Sequence, residues 1–153
     1  MSSKEQLIHS LAASTKDFVE LAVLYRGVAM RRAGLDLVGE ELAITSASHR
    51  STDKHLALVK SILVKANLTE TALKCPEGIT YNCSGKHAGF LYSCVKNGWN
   101  VADYLKLESP IQQLVLEVLE EFSNEKILVS TIDGCGAPLH AMTVVGIARA
   151  IGL

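Results

Sequence analysis

With 153 residues, 48% of them hydrophobic and 20% charged, the chain can bury a core of its own and is too apolar to stay disordered. A formal net charge of −1 removes the electrostatic basis for binding nucleic acid or an anionic membrane surface, and 5% aromatics is too few for a base-stacking platform. No stretch reaches the roughly 18 consecutive apolar residues of a membrane span.

The opening "MSSKEQLIHSLAAS" lacks the apolar centre of a secretory leader, so a cytoplasmic location with reduced thiols is expected. Residues 17–25, "DFVELAVLY", are apolar and partly β-branched, and fit either a buried strand or a short buried helix. "LVGEELAIT" predicts a short helix leading into the polar loop "SASHRST". From Thr52 to about Ala66, Leu56, Val59, Ile62 and Leu63 recur at helical spacing, with Thr52 and Asp53 as the capping pair.

The stretch "CPEGITYN" (75–82) is rich in turn residues. A second long helix is predicted from near Gly85 to Gly98, with Asn82 placed to cap it. A third, "ESPIQQLVLEVLEEFS", opens on Ser109 as cap and Pro110 in the first turn. "KILVSTI" (126–132) reads as a strand entering the turn "DGCGAP", and a terminal helix is predicted from Leu139 onward. With no internal repeat or linker, residues 1–153 read as one mixed domain.

Two cysteine-centred clusters stand out. In "YNCSGKHAGF", Cys83 and Lys86 are three residues apart at a helix start and so share a face. A helix N-terminus lowers the pKa of a thiol placed there, and a thiolate binds zinc. Lysine is a rarer ligand, because its amine must first lose a proton, through burial or an adjacent dication. The bland alternative is a buried cysteine beside a solvated lysine. Cys135 lies in a Gly-flanked turn after a strand and could join Cys83 at one metal.

A nucleophilic cysteine paired with His87 or His140 is a further alternative. Ser48, in the loop "TSASH", suits a nucleophile if a base such as lysine lies near; otherwise it is a turn hydroxyl. "SGKH" lacks the spacing of a phosphate loop. Cys75 and Cys94 read as structural.

The strings "NCSGKHAGFLYSCVKNGW", "DGCGAPLHAM" and "EELAITSASHR" together resemble the bacterial L-asparaginase II family, the zinc-containing type related to serine β-lactamases. "FVELAVLYRG" is similar to that family's opening strand, so the resemblance extends over residues 17–153. It implies an α+β fold, helices packed around a reduced antiparallel sheet, like part of the β-lactamase-like fold. It also implies Cys83, Lys86 and Cys135 as zinc ligands and Ser48 as one of two catalytic serines. The implied reaction is hydrolysis of the side-chain amide of L-asparagine to aspartate and ammonia, with a homodimer as the candidate assembly.

Three family features have no counterpart. Gly27 runs directly into Val28 where the family has a Ser-x-x-Lys motif, and "ASTK" (13–16) imitates that motif on the wrong side of the strand. A second deletion joins "CPEG" to "ITYNCSGKH", and the family's C-terminal lysine is not matched. The chain is therefore expected to be a shortened or fragmentary member with very low turnover, the competing reading being a non-catalytic zinc-binding remnant.

Overall fold

The computed structural model of the chain describes residues 25–152. Of the apolar stretch 17–25 only Tyr25 lies among them, and the "ASTK" imitation lies outside. Tyr25 belongs to a helical segment, α1 (25–32). It is followed by α2 (Gly39–Thr45), α3 (Asp53–Lys65), α4 (Ser84–Asn97) and α5 (Pro110–Ser123). The hairpin strands β1 (Ser130–Ile132) and β2 (Pro138–His140) come next, and α6 (Val144–Gly152) closes the described chain. The expected α+β class is observed, with helices supplying most of the core and, among the described residues, the sheet reduced to one antiparallel hairpin.

The helix ends follow their local chemistry. Thr52 accepts the His55 N–H at the start of α3, and Pro110 begins α5, where a missing amide proton costs nothing. Three helices stop by one device. Beyond α1, Gly34 adopts a left-handed φ of 82°, and the Leu35 and Gly34 amides reach back to the Met30 and Arg31 carbonyls. Asn67 ends α3 and Gly98 ends α4 in the same way, which satisfies carbonyls otherwise left open.

Helix α4 is the axis of the core. Ala88, Phe90, Leu91 and Cys94 are fully buried along it, against Val59, Ile62 and Leu63 of α3 and Tyr25, Ala29 and Met30 of α1. Ile111, Val115, Val118 and Leu119 of α5 complete the same core. Two glycines set the approach to α2. A Cβ on Gly85 would lie 2.2 Å from the Ile44 carbonyl oxygen, and one on Gly89 would lie 2.6 Å from Met30 Sδ and 3.0 Å from Thr45 Cγ2. Glycine at these two positions, one turn apart, lets α4 touch the end of α2, from which the Ser48 loop leaves.

The hairpin departs from two expectations. Strand β1 begins at Ser130, so residues 126–129 are irregular although 127–129 are apolar. The stretch from Leu139, predicted as helix, first forms β2, and the helix starts at Val144. Pro138 has no amide proton but can open a strand, and its register partner is Ile132. The Ala141 amide then bonds the Val129 carbonyl, so the chain is still extended where a helix was expected. Thr143 sets the true start: its hydroxyl accepts the Gly146 N–H at 2.9 Å, an N-cap. Strand β1 is exposed, whereas Pro138 and His140 of β2 are buried. No helix among the described residues is long and apolar enough to cross a membrane.

Candidate active site

The first turn of α4 is buried, which is unusual for a helix N-terminus carrying a lysine. Cys83, not Asn82, is the N-cap residue, and no side chain caps the helix. Asn82 is used elsewhere. Its carbonyl accepts the His49 N–H at 3.0 Å, and its side-chain amide donates to Ser48 Oγ at 2.7 Å. Cys83, Lys86 and His87 follow at helical spacings of three and four and so occupy one stripe.

That stripe meets the hairpin turn. Lys86, only 1% exposed, donates from Nζ to Cys135 Sγ at 3.0 Å and to Asp133 Oδ2 at 3.3 Å. Cys83 lies beside Cys135, and the two perturb each other's ionisation. The structure therefore brings together Cys83, Lys86 and Cys135. All four cysteines of the chain are free.

Asp133 builds the turn that carries Cys135. Its Oδ1 accepts the amides of Cys135 (2.9 Å) and Ala137 (3.1 Å), the first an Asx-type bond two residues on. The same oxygen faces the Cys135 sulfur at 2.7 Å. Oδ2 takes Lys86 and, at 3.1 Å, Nη2 of Arg26, which also donates to the Pro138 carbonyl at 2.6 Å. Arg26 is 3% exposed, so α1 is locked to the hairpin through a desolvated ion network.

The electrostatics follow. Burial alone would raise the Asp133 pKa, but Lys86, the Cys135 bonds and Arg26 outweigh it and hold the carboxyl at about 2. The neighbouring Cys135 lowers Cys83 to about 6, against the opposing effect of burial and with help from Lys86. Cys135 shows the reverse: Cys83 beside it, then burial, push it up to about 12. The pair is thus poised as one thiolate and one thiol.

Ser48 sits on the exposed loop between α2 and α3, not inside a helix, and Asn82 ties it to the residue preceding Cys83. The neighbouring His49 is buried and fully engaged. Ser84 gives its own proton to the Ile79 carbonyl (2.7 Å), so His49 Nε2–H must donate to Ser84 Oγ (2.8 Å), while Nδ1 accepts the Ser51 amide (3.1 Å). Burial, then the adjacent His55, lowers its pKa. A depression of about 230 Å³ beside Ser48 is lined in part by Glu40, His49, Lys54 and His55, with Lys54 paired to Glu40.

The remaining candidates separate cleanly. Cys94 is pushed up to about 11 by burial alone, and Cys75 is buried, its thiol bonded to the Gly78 carbonyl at 3.0 Å. His140 bonds Ser130 Oγ at 2.8 Å through Nδ1. Neither histidine considered as a partner of a cysteine is hydrogen-bonded to one: His87 Nδ1 faces the Tyr104 hydroxyl at 2.7 Å, and its buried Nε2 has no partner among the described residues. Among the described residues no group of three or more His, Cys, Asp and Glu side chains is placed to hold a metal ion. The convergence here is of two thiols and an amine.

Arg26 and Asp133 were not singled out from the sequence. An Asp before a Gly-rich turn was a usable signal for Asp133, since its carboxylate commonly accepts the amide two residues on. Arg26 offered none, because its partners lie 107 and 112 residues away.

The chain matches the L-asparaginase II family over residues 6–81 and 76–153, two segments that overlap at the turn-rich stretch before Cys83. No curated protein matches it. The matched segments together take in Ser48, Cys83, Lys86 and Cys135 and nearly the whole chain, and the protein belongs to the L-asparaginase II family.

Proposed function

We propose that this chain carries an asparaginase-type amide-hydrolysis site in which Ser48 is the nucleophile and Cys83, Lys86 and Cys135 hold zinc. The observation that carries the reading is the convergence of Lys86 Nζ on Cys135 Sγ at 3.0 Å, with Cys83 beside Cys135. Two thiols and an amine are an N/S donor set of the kind zinc takes, with room in a tetrahedral shell for a fourth, exchangeable ligand. Bound there, zinc would supply Lewis acidity for holding or polarising the substrate.

The protein groups supply the rest. Ser48 Oγ would attack the side-chain amide carbon of L-asparagine, ammonia would leave, and water would release aspartate from the acyl-enzyme. Asn82 orients the Ser48 hydroxyl. The base is the weak point: His49 has both ring nitrogens engaged and Lys54 is paired with Glu40. Base assistance is typically worth 10²–10⁴ in rate, so the chain is proposed to bind zinc and to turn over very slowly. The match in two segments meeting near residue 78 supports the reading that a family segment is absent there. The β-lactamase-like relationship, a cytoplasmic location and a homodimer belong to the same proposal.

The test is ammonia release from L-asparagine by the purified chain, with and without added zinc, beside Ser48→Ala. A trace rate lost in Ser48→Ala agrees with the reading. Ordinary enzymatic rates abolished by Ser48→Ala would show that a base has been recruited, and a rate untouched by that change would remove Ser48 from the chemistry.

A further inference from the structure

The depression beside Ser48 holds a second group to which the mechanism above gives no part. It is lined in part by Ser48 and by His55 of α3, with Glu40, His49 and Lys54. Asn82 Nδ2 donates to Ser48 Oγ at 2.7 Å, so that oxygen already accepts one hydrogen bond. Among the described residues the hydroxyl's own proton has no acceptor. His55 has the complementary lack. Its side chain is half-buried, and its Nδ1, enclosed by protein, has no hydrogen-bond partner among the described residues.

The other ionisable groups of the depression are committed. His49, whose ring centroid lies 5.5 Å from that of His55, uses Nε2 on Ser84 Oγ and Nδ1 on the Ser51 amide. Glu40 of α2 and Lys54 of α3 are paired with each other, so Lys54 is spent on its counter-charge. Thr52 caps α3 by accepting the His55 amide, which fixes the backbone from which the ring projects. Of the ionisable side chains lining the depression, His55 is therefore the one that keeps a ring nitrogen for a hydroxyl proton.

We propose that His55 is the general base, and then the acid, for Ser48. The assignment deepens the reading of Ser48 as nucleophile and rests on it. His55 Nδ1 takes the Ser48 proton as Oγ bonds the side-chain amide carbon of L-asparagine. The imidazolium returns that proton to the leaving nitrogen as the C–N bond breaks, so ammonia departs and the acyl-enzyme remains. Neutral His55 then takes a proton from water as its oxygen attacks the ester carbon, and gives it to Oγ as aspartate leaves. Ser48 and His55 are not hydrogen-bonded in the resting structure, and catalytic contacts often tighten only around substrate. Low turnover is still expected, and His55 governs it.

The test applies phenylmethanesulfonyl fluoride, which sulfonylates activated serines, to the full chain with peptide mapping, beside ammonia release from L-asparagine. Wild-type labelling of Ser48 should rise between about pH 5 and 8, the imidazole range, and then level off; an unassisted hydroxyl would keep rising with hydroxide. His55→Gln should slow both labelling and ammonia release about 100-fold or more and remove the plateau, while Lys54→Met should leave both in place. Circular dichroism reports whether His55→Gln folds; should it not, the wild-type profile decides, and a rate without a plateau overturns the assignment. Ser48 left unlabelled in the wild type, or labelled as fast in His55→Gln, also overturns it, as does loss of labelling in Lys54→Met instead. Labelling that depends on His55, with ammonia release indifferent to Ser48→Ala, would keep the Ser48–His55 pair and remove the asparaginase reading. Ammonia release abolished by Ser48→Ala but untouched by His55→Gln would remove His55 and keep that reading.

Discussion

Gly85→Ala is the substitution that most directly probes how the fold holds the site. The added methyl would lie 2.2 Å from the Ile44 carbonyl oxygen, over 1 Å short of ordinary contact, and 2.9 Å from Ile44 C and Cγ1. The obstacle is backbone, so no side-chain rotation relieves it. Overpacking typically costs about 1–3 kcal/mol, and a rigid carbonyl places this case near the top of that range. Alanine recovers about 1 kcal/mol of helix propensity over glycine. A net loss of about 2 kcal/mol follows, and for a chain of this size each kcal/mol lowers Tm by about 2–4 °C. Gly89→Ala is the comparison, because its nearest obstacle is the flexible Met30 side chain and it should cost clearly less. Because α4 must withdraw from the end of α2, Gly85→Ala should also loosen the Asn82–Ser48 and His49–Ser84 bonds. Urea unfolding monitored by circular dichroism reads the first effect and amide-exchange at His49 the second. A Gly85→Ala chain as stable as wild type, with His49 equally protected, would refute the close-approach argument.

Other consequences are as specific. Asp133 has a folded pKa of about 2 against an ordinary value of 3.8, so its contribution is present above pH 3.8 and is lost as pH falls toward 2. Asp133→Asn should flatten the stability profile in that window while lowering stability at neutral pH, because Arg26 and Lys86 lose their counter-charge; an unchanged acid limb would contradict this. In the metal-free chain, Cys83 should be alkylated by iodoacetamide with a midpoint near pH 6, while Cys94 and Cys135, at about 11 and about 12, react far more slowly at neutral pH. Peptide mapping with time checks this, and preferential labelling of Cys135 would reverse the assigned thiolate and thiol.

The helices were legible where local chemistry decides them. Thr52, Pro110 and Gly98 mark helix boundaries through bonds or φ values each residue makes for itself. The terminal segment was not, because Leu139 through Ala141 carry an apolar pattern that fits a helix, and only pairing with residues 129–131 makes them extended. In the site, the Cys83–Lys86 spacing and the glycines around Cys135 were readable as two halves. What joins them was not: Lys86 is 47 residues from Asp133 and Arg26 is 107. Asn82 illustrates the same limit, since a residue suited to capping α4 spends its side chain on Ser48.

The central claim is that Cys83, Lys86 and Cys135 form one metal site, and the metal content of the purified chain tests it most directly. After reduction, zinc loading and removal of excess metal, elemental analysis should find one zinc per chain. Cys83→Ser and Cys135→Ser should each abolish retention, Lys86→Met should weaken it, and Ser48→Ala should leave it intact. Zinc absent from the loaded wild-type chain, or retained equally by Cys83→Ser and Cys135→Ser, would contradict the account.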